Sequence, residues 1–294
     1  MQSKQTLFVL WRIIIPIVPL LLLLAPTLWR NVCPIATLHQ LPRLFGVSKA
    51  KNLPRWFRGY NELIGISIFV ILVSSRKIIF NYNGPVLAIL IIGVLVAAIM
   101  LGDLFLGKSG WCTSICPVFP VEMLYGQRGV FEVNNSHCQP CNGCTELCFD
   151  NDPKKSYLAI LHHRNKQRSQ FRRLFAGMFP GFILAYYLAP NPAGQNWAII
   201  GEMFLYFLGF CLISASSFYL LERVLPLSTG KIAIFYAAAA LNLYYWFNAP
   251  LLGELFGSPN QSSVAWAIRL LVGGISLVWV YRASKKETIF ARGG

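Results

Sequence analysis

Long apolar runs dominate the chain and recur between shorter polar stretches. They occupy 7–26, 63–80, 85–101, 174–190, 197–221, 231–247 and 264–281. A helix needs roughly 20 mostly apolar residues to cross a hydrocarbon layer about 30 Å thick. The pattern therefore predicts an all-α integral membrane protein with about seven transmembrane helices, or six if the second run, cut by Arg76 and Lys77, falls short. Asn83-Gly84 ahead of Pro85 predicts a tight turn into the third span. The polar stretches divide the chain into 1–101, with three spans and a basic loop at 27–60, an insert at 102–173, and 174–294, with four spans and a basic tail.

Composition agrees with the pattern: 55% of residues are hydrophobic and only 13% are charged. Soluble domains carry about 25% charged residues, so the composition argues against a water-soluble enzyme, and the apolar content excludes a disordered chain. The formal net charge is +15. Alternating loops place 21 of the Lys and Arg residues on one side and three (Lys4, Arg76, Lys77) on the other, while Arg12 and Arg269 fall within spans. Positively charged loops stay in the cytoplasm. This predicts an outside N-terminus, with both long loops and the C-terminus inside. The first run reads as an anchor rather than a cleaved signal, since no small-residue cleavage pattern precedes the basic loop. The basic stretch 162–173 is too short for a nucleic-acid surface and reads as a juxtamembrane segment on anionic lipid headgroups. The partners expected from charge are thus membrane lipid and no nucleic acid.

Seven of the eight cysteines lie between Cys33 and Cys148, all on the expected cytoplasmic side, where thiols stay reduced and structural disulfides are disfavoured. Cys138-Gln-Pro-Cys141-Asn-Gly-Cys144-Thr-Glu-Leu-Cys148 is the C-x2-C-x2-C-x3-C spacing that wraps a [4Fe–4S] cubane in bacterial ferredoxins. Zinc would favour two separated C-x2-C pairs. In two-cluster ferredoxins the last cysteine of such a run precedes a proline and serves the other cluster. Here Cys148 precedes Phe149, but Trp111-Cys112-Thr113-Ser114-Ile115-Cys116-Pro117 supplies a C-x3-C-P segment. A degenerate copy stands at Trp29-Arg30-Asn31-Val32-Cys33-Pro34. Val32-Cys33-Pro34-Ile35 matches Ile115-Cys116-Pro117-Val118, and each copy follows an apolar run.

This combination resembles the ferredoxin-type membrane iron–sulfur proteins of the NapH/NosR/MauN group. Trp111, Cys112, Cys116 and Pro117, followed by Cys138, Cys141, Cys144 and Cys148, carry the resemblance, which covers about 102–150 with a weaker echo at 29–41. It implies a cytoplasmic ferredoxin-like insert on a bacterial inner-membrane protein. The implied function is relay of electrons between the quinone pool and a partner redox protein through cubane clusters. Such proteins commonly carry two complete C-x3-C-P segments and two full ferredoxin runs; this chain has one of each, with Trp29 at the position of a missing cysteine. Two ligand sets remain open. Cys138, Cys141 and Cys144 can close one cluster with Cys116, leaving Cys33, Cys112 and Cys148 one ligand short of a second. Alternatively Cys148 closes it, and Cys33, Cys112 and Cys116 remain as thiols. One [4Fe–4S] cluster is expected and a second is open. Cys211, mid-span, reads as a small buried hydrophobe.

Charges inside spans are costly and often functional. Glu202 and Arg269 lie at similar depth in the fifth and seventh spans, so they can pair, or line a path for a quinone headgroup or a proton. Asn242 and Ser214-Ala215-Ser216-Ser217 read as helix-packing groups, and Asp103 as either an orienting residue for the cysteine loop or a solvated one. The histidines are His39, His137, His162 and His163, none mid-span, which excludes an axial pair for an intramembrane haem; His137 adjoins Cys138 and can tune a cluster there. No nucleotide-binding, zinc-protease or nucleophile-elbow motif occurs. Two functional classes follow. The first is an electron-transfer protein, the redox subunit of a quinol-linked oxidoreductase. The second is a non-catalytic structural or assembly subunit of a respiratory or photosynthetic complex, packed against other subunits.

Overall fold

The structure is a computed structural model that describes residues 2–126, 129–131, 157–162, 166–192, 196–255 and 261–292. The helices are α1 (Gln2–Val9), α2 (Ile15–Leu24), α3 (Pro26–Val32), α4 (Pro34–Leu44), α5 (Arg55–Ser75), α6 (Gly84–Leu104), α7 (Phe119–Tyr125), α8 (Tyr157–His162), α9 (Lys166–Leu188), α10 (Trp197–Val224), α11 (Thr229–Leu255) and α12 (Gln261–Arg292). Two π-helical turns, Leu10–Ile14 and Arg76–Phe80, join α1 to α2 and extend α5. Among the described residues there are no strands, only an isolated bridge between Lys51 and Phe105.

Among the described residues, five helical stretches are long and apolar enough to cross a membrane: Gln5–Leu24, Trp56–Phe80, Gly84–Leu104, Trp197–Val224 and Ser262–Glu287. They coincide with five of the seven expected spans, and the chain is a membrane protein on this ground. The other two expected spans are helical as α9 and α11. Arg172, Arg173 and the tyrosines in α9, and Asn242, Asn248 and the tyrosines in α11, dilute their hydropathy. Among the described residues, length and composition support five spans. The second span is also longer than its sequence suggested. Arg76 and Lys77 do not end it, because Lys77 is buried and its Nζ donates to the carbonyls of Tyr186 (2.9 Å) and Ala189 (2.6 Å) at the end of α9. Arg76 lies 4.0 Å over the Trp11 ring. Backbone carbonyls left over at a helix C-terminus and an aromatic face replace the water that these cations would otherwise need.

The chain forms two compact units that interleave in sequence, residues 21–75 with 83–172, and residues 1–20 with 76–82 and 173–294. In the first, α4 packs along α6. Gly102 makes that approach possible, because a Cβ there would run into the backbone carbonyl of His39. A strap covers the C-terminal end of α6: Ser48 Oγ donates to the Gly102 carbonyl (2.9 Å), and the amides of Lys49 and Lys51 donate to the carbonyls of Asp103 (2.7 Å) and Leu104 (2.9 Å). Asp103 also pairs with Lys49 at 3.4 Å, so it serves this strap. Arg172, at the base of α9, makes a buried two-point ion pair with Glu62 of α5 (Nε to Oε2 3.0 Å, Nη2 to Oε1 2.7 Å). Arg168 donates to the carbonyl of Arg58. These partners let α9 begin at Lys166, upstream of its apolar run.

The second unit holds α10, α11, α12 and the rest of α9. Asn242 Nδ2 donates to Ser276 Oγ across α11 and α12 (2.9 Å), Ser214 Oγ to the Gly177 carbonyl (2.6 Å), and the Ser217 and Tyr236 hydroxyls lie 2.6 Å apart. The polar groups expected to pack helices do so. Tyr187 stacks on Phe247 at 4.6 Å and accepts from Asn248, while Tyr245 donates to the Pro16 carbonyl.

Candidate metal centre

The two Cys-Pro segments sit in the same unit. Cys33 is the N-cap of α4, in an extended conformation (φ −65°, ψ 114°), and Pro34 takes the first helical position, where its missing N–H costs nothing. Cys116 closes the turns that follow α6, and Pro117 leads into α7. The amides two and three residues on serve each thiol in the same way: those of Ile35 and Ala36 at Cys33, and those of Val118 and Phe119 at Cys116. Backbone N–H groups aimed at sulfur favour thiolate, the form that binds metal.

Burial acts in the opposite direction. It pushes the Cys33 thiol up, the Cys116 thiol up to about 12, and the Cys112 thiol well above its ordinary value. Cys112 is raised further by Cys116 and Cys33, and all three by the carboxylate of Glu122, while Lys108 lowers Cys33 and Cys112. Three cysteines far apart in sequence thus share one electrostatic neighbourhood, in which ionisation of each opposes the others. A cation or iron–sulfur cluster supplies the positive charge that resolves this conflict. Among the described residues, no three His, Cys, Asp or Glu side chains converge tightly enough to grip a single metal ion. A cluster is wider than an ion and asks for wider spacing. Nearby buried polar atoms, Trp111 Nε1 and Asn61 Oδ1, have no hydrogen-bond partner among the described residues. The thiols therefore fit part of an iron–sulfur ligand set. Cys138, Cys141, Cys144 and Cys148, with His137 and His163, lie outside the described residues.

Three further residues surround the thiols. Arg30 Nε donates to Glu122 Oε1 in a buried ion pair that joins α3, ahead of Cys33, to α7, behind Cys116. His39 is fully buried, and its Nε2 accepts the backbone N–H of Trp111 at 3.1 Å. Asn61 Nδ2 donates to the Thr113 carbonyl at 2.6 Å. Sequence reading singled out none of these. A signal was available in the repeat, because His39 and Glu122 stand at the same offset from Cys33 and Cys116.

Glu202 and Arg269 do not form an ion pair. Arg269 donates to the Trp246 carbonyl (2.9 Å), with its guanidinium 4.1 Å over the Trp246 ring and 5.0 Å over Trp266. Glu202 is exposed in a shallow groove on α10 with Leu205, Tyr206 and Phe210. Arg12 instead pairs with Glu254 at 3.6 Å. Cys211 is a half-buried thiol on α10.

No family model matches the chain, and no solved structure matches it. Among curated proteins it is 30% identical over 142 residues to the ferredoxin-type protein NapH of Escherichia coli. It is 29% identical over 132 residues to the methylamine utilization ferredoxin-type protein MauN of Paracoccus denitrificans, and 24% identical over 152 residues to the NapH of Haemophilus influenzae. These alignments cover 43%, 40% and 47% of this chain and 47%, 46% and 51% of the relatives, so the chain spans about half the length of the curated relatives it matches. The resemblance to the NapH and MauN ferredoxin-type proteins, read first from the cysteine spacing, is shown by these matches over less than half of the chain.

Proposed function

We propose that this chain is a membrane-bound electron-transfer protein of ferredoxin type, which relays single electrons between the quinone pool and a partner redox protein. The observation that carries the reading is the shared electrostatic neighbourhood of the half-buried Cys33, Cys112 and Cys116, in a chain that also has a complete ferredoxin cysteine run. Cys138, Cys141 and Cys144, with Cys148 or Cys116, hold one [4Fe–4S] cluster; Cys33 and Cys112, with whichever of Cys116 and Cys148 remains, contribute to a second. When bound, such a cluster accepts and releases one electron at a potential set by charge, hydrogen bonds and burial. The chain's own residues half-bury the thiols, aim backbone amides at Cys33 and Cys116, and hold the charge of Glu122 against Arg30. The apolar helices fix the site at the surface of a bacterial inner membrane, on the cytoplasmic side that the Lys and Arg distribution favours.

Anaerobic purification in mild detergent, with iron and acid-labile sulfide per chain and EPR before and after addition of a quinol, tests the reading. About four irons mean one cubane and about eight mean two. Quinol-dependent reduction supports the relay, and a loaded but quinol-inert protein refutes it. Cys141→Ala is expected to abolish the ferredoxin-run cluster; a variant with full iron and visible absorption removes that assignment.

A further inference from the structure

The two Cys-Pro segments clasp each other reciprocally. Six residues behind Cys33, in α4, His39 Nε2 accepts the amide N–H of Trp111, the residue before Cys112. Six residues behind Cys116, in α7, Glu122 accepts from Arg30, three residues before Cys33. Each partner is buried: His39 is 0% exposed, Glu122 9%, Arg30 8% and Trp111 6%. The Cβ that Gly110 lacks would stand 3.0 Å from His39 Nε2, so the turn into Cys112 is seated directly on the imidazole. The thiols have the same arrangement, since the amides two and three residues on face both Cys33 and Cys116. The thiol geometry and the six-residue offset repeat in both segments, while the contacts differ in kind: His39 takes a backbone amide five residues before Cys116, and Glu122 a guanidinium three residues before Cys33.

We propose that His39 and Glu122 are paired positioning residues, each reaching from the helix behind one Cys-Pro step to the chain entering the other. Together they make Cys33, Cys112 and Cys116 present their sulfurs to one common iron–sulfur group. This rests on the iron–sulfur reading above and narrows it: Cys33 and Cys116 become equivalent ligands of the same group. Cys148 then closes the ferredoxin-run cluster. His39 has a further atom to offer, because its buried Nδ1 has no hydrogen-bond partner among the described residues. Glu122 has a second task, supplying the negative charge against which Arg30 is held beside the thiols.

The test uses the full chain, purified anaerobically, with His39→Ala, His39→Gln, Glu122→Ala and Glu122→Gln. Iron per chain, its rate of loss to a chelator, the EPR spectrum, and maleimide labelling of each cysteine by mass spectrometry are read in parallel. Partners that orient metal ligands are typically worth about 10–100-fold in metal affinity. Both alanine variants are therefore expected to lose one cluster's iron at least about 10-fold faster, with the same EPR component weakened in each. Labelling of Cys33, Cys112 and Cys116 should rise while Cys211, on α10, stays at the wild-type rate, which separates a loosened clasp from a protein that has unfolded. His39→Gln keeps an acceptor for the Trp111 amide and is expected to restore most of the iron, whereas Glu122→Gln keeps an acceptor for Arg30 but not the charge and is expected to restore only part of it. Alanine variants that keep wild-type iron retention, EPR and labelling, or that affect two different EPR components, overturn the clasp and leave the electron-transfer reading standing. A wild-type chain that binds no iron overturns the reading itself.

Discussion

Gly102 gives the sharpest test of the packing that brings the cysteines together. A Cβ built there stands 2.9 Å from the carbonyl carbon of His39 and 3.2 Å from its Cα, with the carbonyl oxygen nearer still. Real Cβ contacts essentially never fall below 3.0 Å, and the obstacle is backbone, which cannot rotate aside as a side chain can. Gly102→Ala must therefore push α4 off α6 by about 1 Å, and overpacking of this kind costs roughly 1–3 kcal/mol. Gly93, on the same helix, has nothing within 4 Å of its ideal Cβ. Gly93→Ala should gain about 0.5–1 kcal/mol from the lower backbone entropy of alanine in a helix. The two substitutions are chemically identical and opposite in sign. Thermal unfolding of the detergent-purified protein, followed by tryptophan fluorescence, should show the midpoint falling by roughly 2–8 °C for Gly102→Ala and rising slightly for Gly93→Ala. A Gly102→Ala protein at or above the wild-type midpoint would refute the close approach of α4 to α6, and with it the path by which His39 reaches Trp111.

Burial, with Arg43 and Lys108 nearby, lowers the His39 imidazole from 6.5 to about 3. Its contribution to stability is complete above pH 6.5 and is lost as pH falls toward 3, at up to about 1.4 kcal/mol per pH unit. Melting between pH 7 and 4 should show a shallower decline in His39→Gln than in wild type, and equal slopes would exclude this histidine as the cause. Arg172→Ala strands Glu62 in a buried site and should cost about 3–5 kcal/mol, whereas the double change Glu62→Leu/Arg172→Met should recover most of it. Unfolding midpoints that are additive across this pair would show that the two groups do not interact. Lys77→Met removes the donor to the Tyr186 and Ala189 carbonyls and should destabilise by about 1–3 kcal/mol, provided those carbonyls stay dry. An unchanged midpoint would mean that water replaces the ammonium.

The apolar helices were legible in the sequence because they rest on a local rule, length and hydropathy; the cysteine run is read by a local rule too, ligand spacing, and lies outside the described residues. The departures arise where a distant partner changes the cost of a charge. Arg76 and Lys77 read as the end of a span because no window of sequence shows that Tyr186, Ala189 and Trp11 will receive them. Lys166 to Arg173 read as loop for the same reason, since Glu62 and the Arg58 carbonyl lie about a hundred residues earlier. Glu202 and Arg269 share a depth, but depth does not fix the direction in which a side chain leaves its helix, and Trp246 takes the guanidinium. His39 was noted only as a histidine outside the spans, although its offset from Cys33 already matched that of Glu122 from Cys116.

The Arg30–Glu122 pair also sets an order of events at the ribosome. Its partners are 92 residues apart, and the His39–Trp111 contact spans 72. At about 5–20 residues per second, Arg30 and Cys33 emerge roughly 5–20 s before Glu122. Until then α3 and α4 have no carboxylate to receive the guanidinium and no Trp111 amide to seat on the imidazole. The Cys33 thiol spends that interval without its enclosure, open to oxidants and to the wrong metals. On the proposed iron–sulfur reading, loading of this site becomes a late step in biogenesis, gated by translation through α7, and truncated chains ending before Glu122 are expected to reach the membrane but fail to retain iron there.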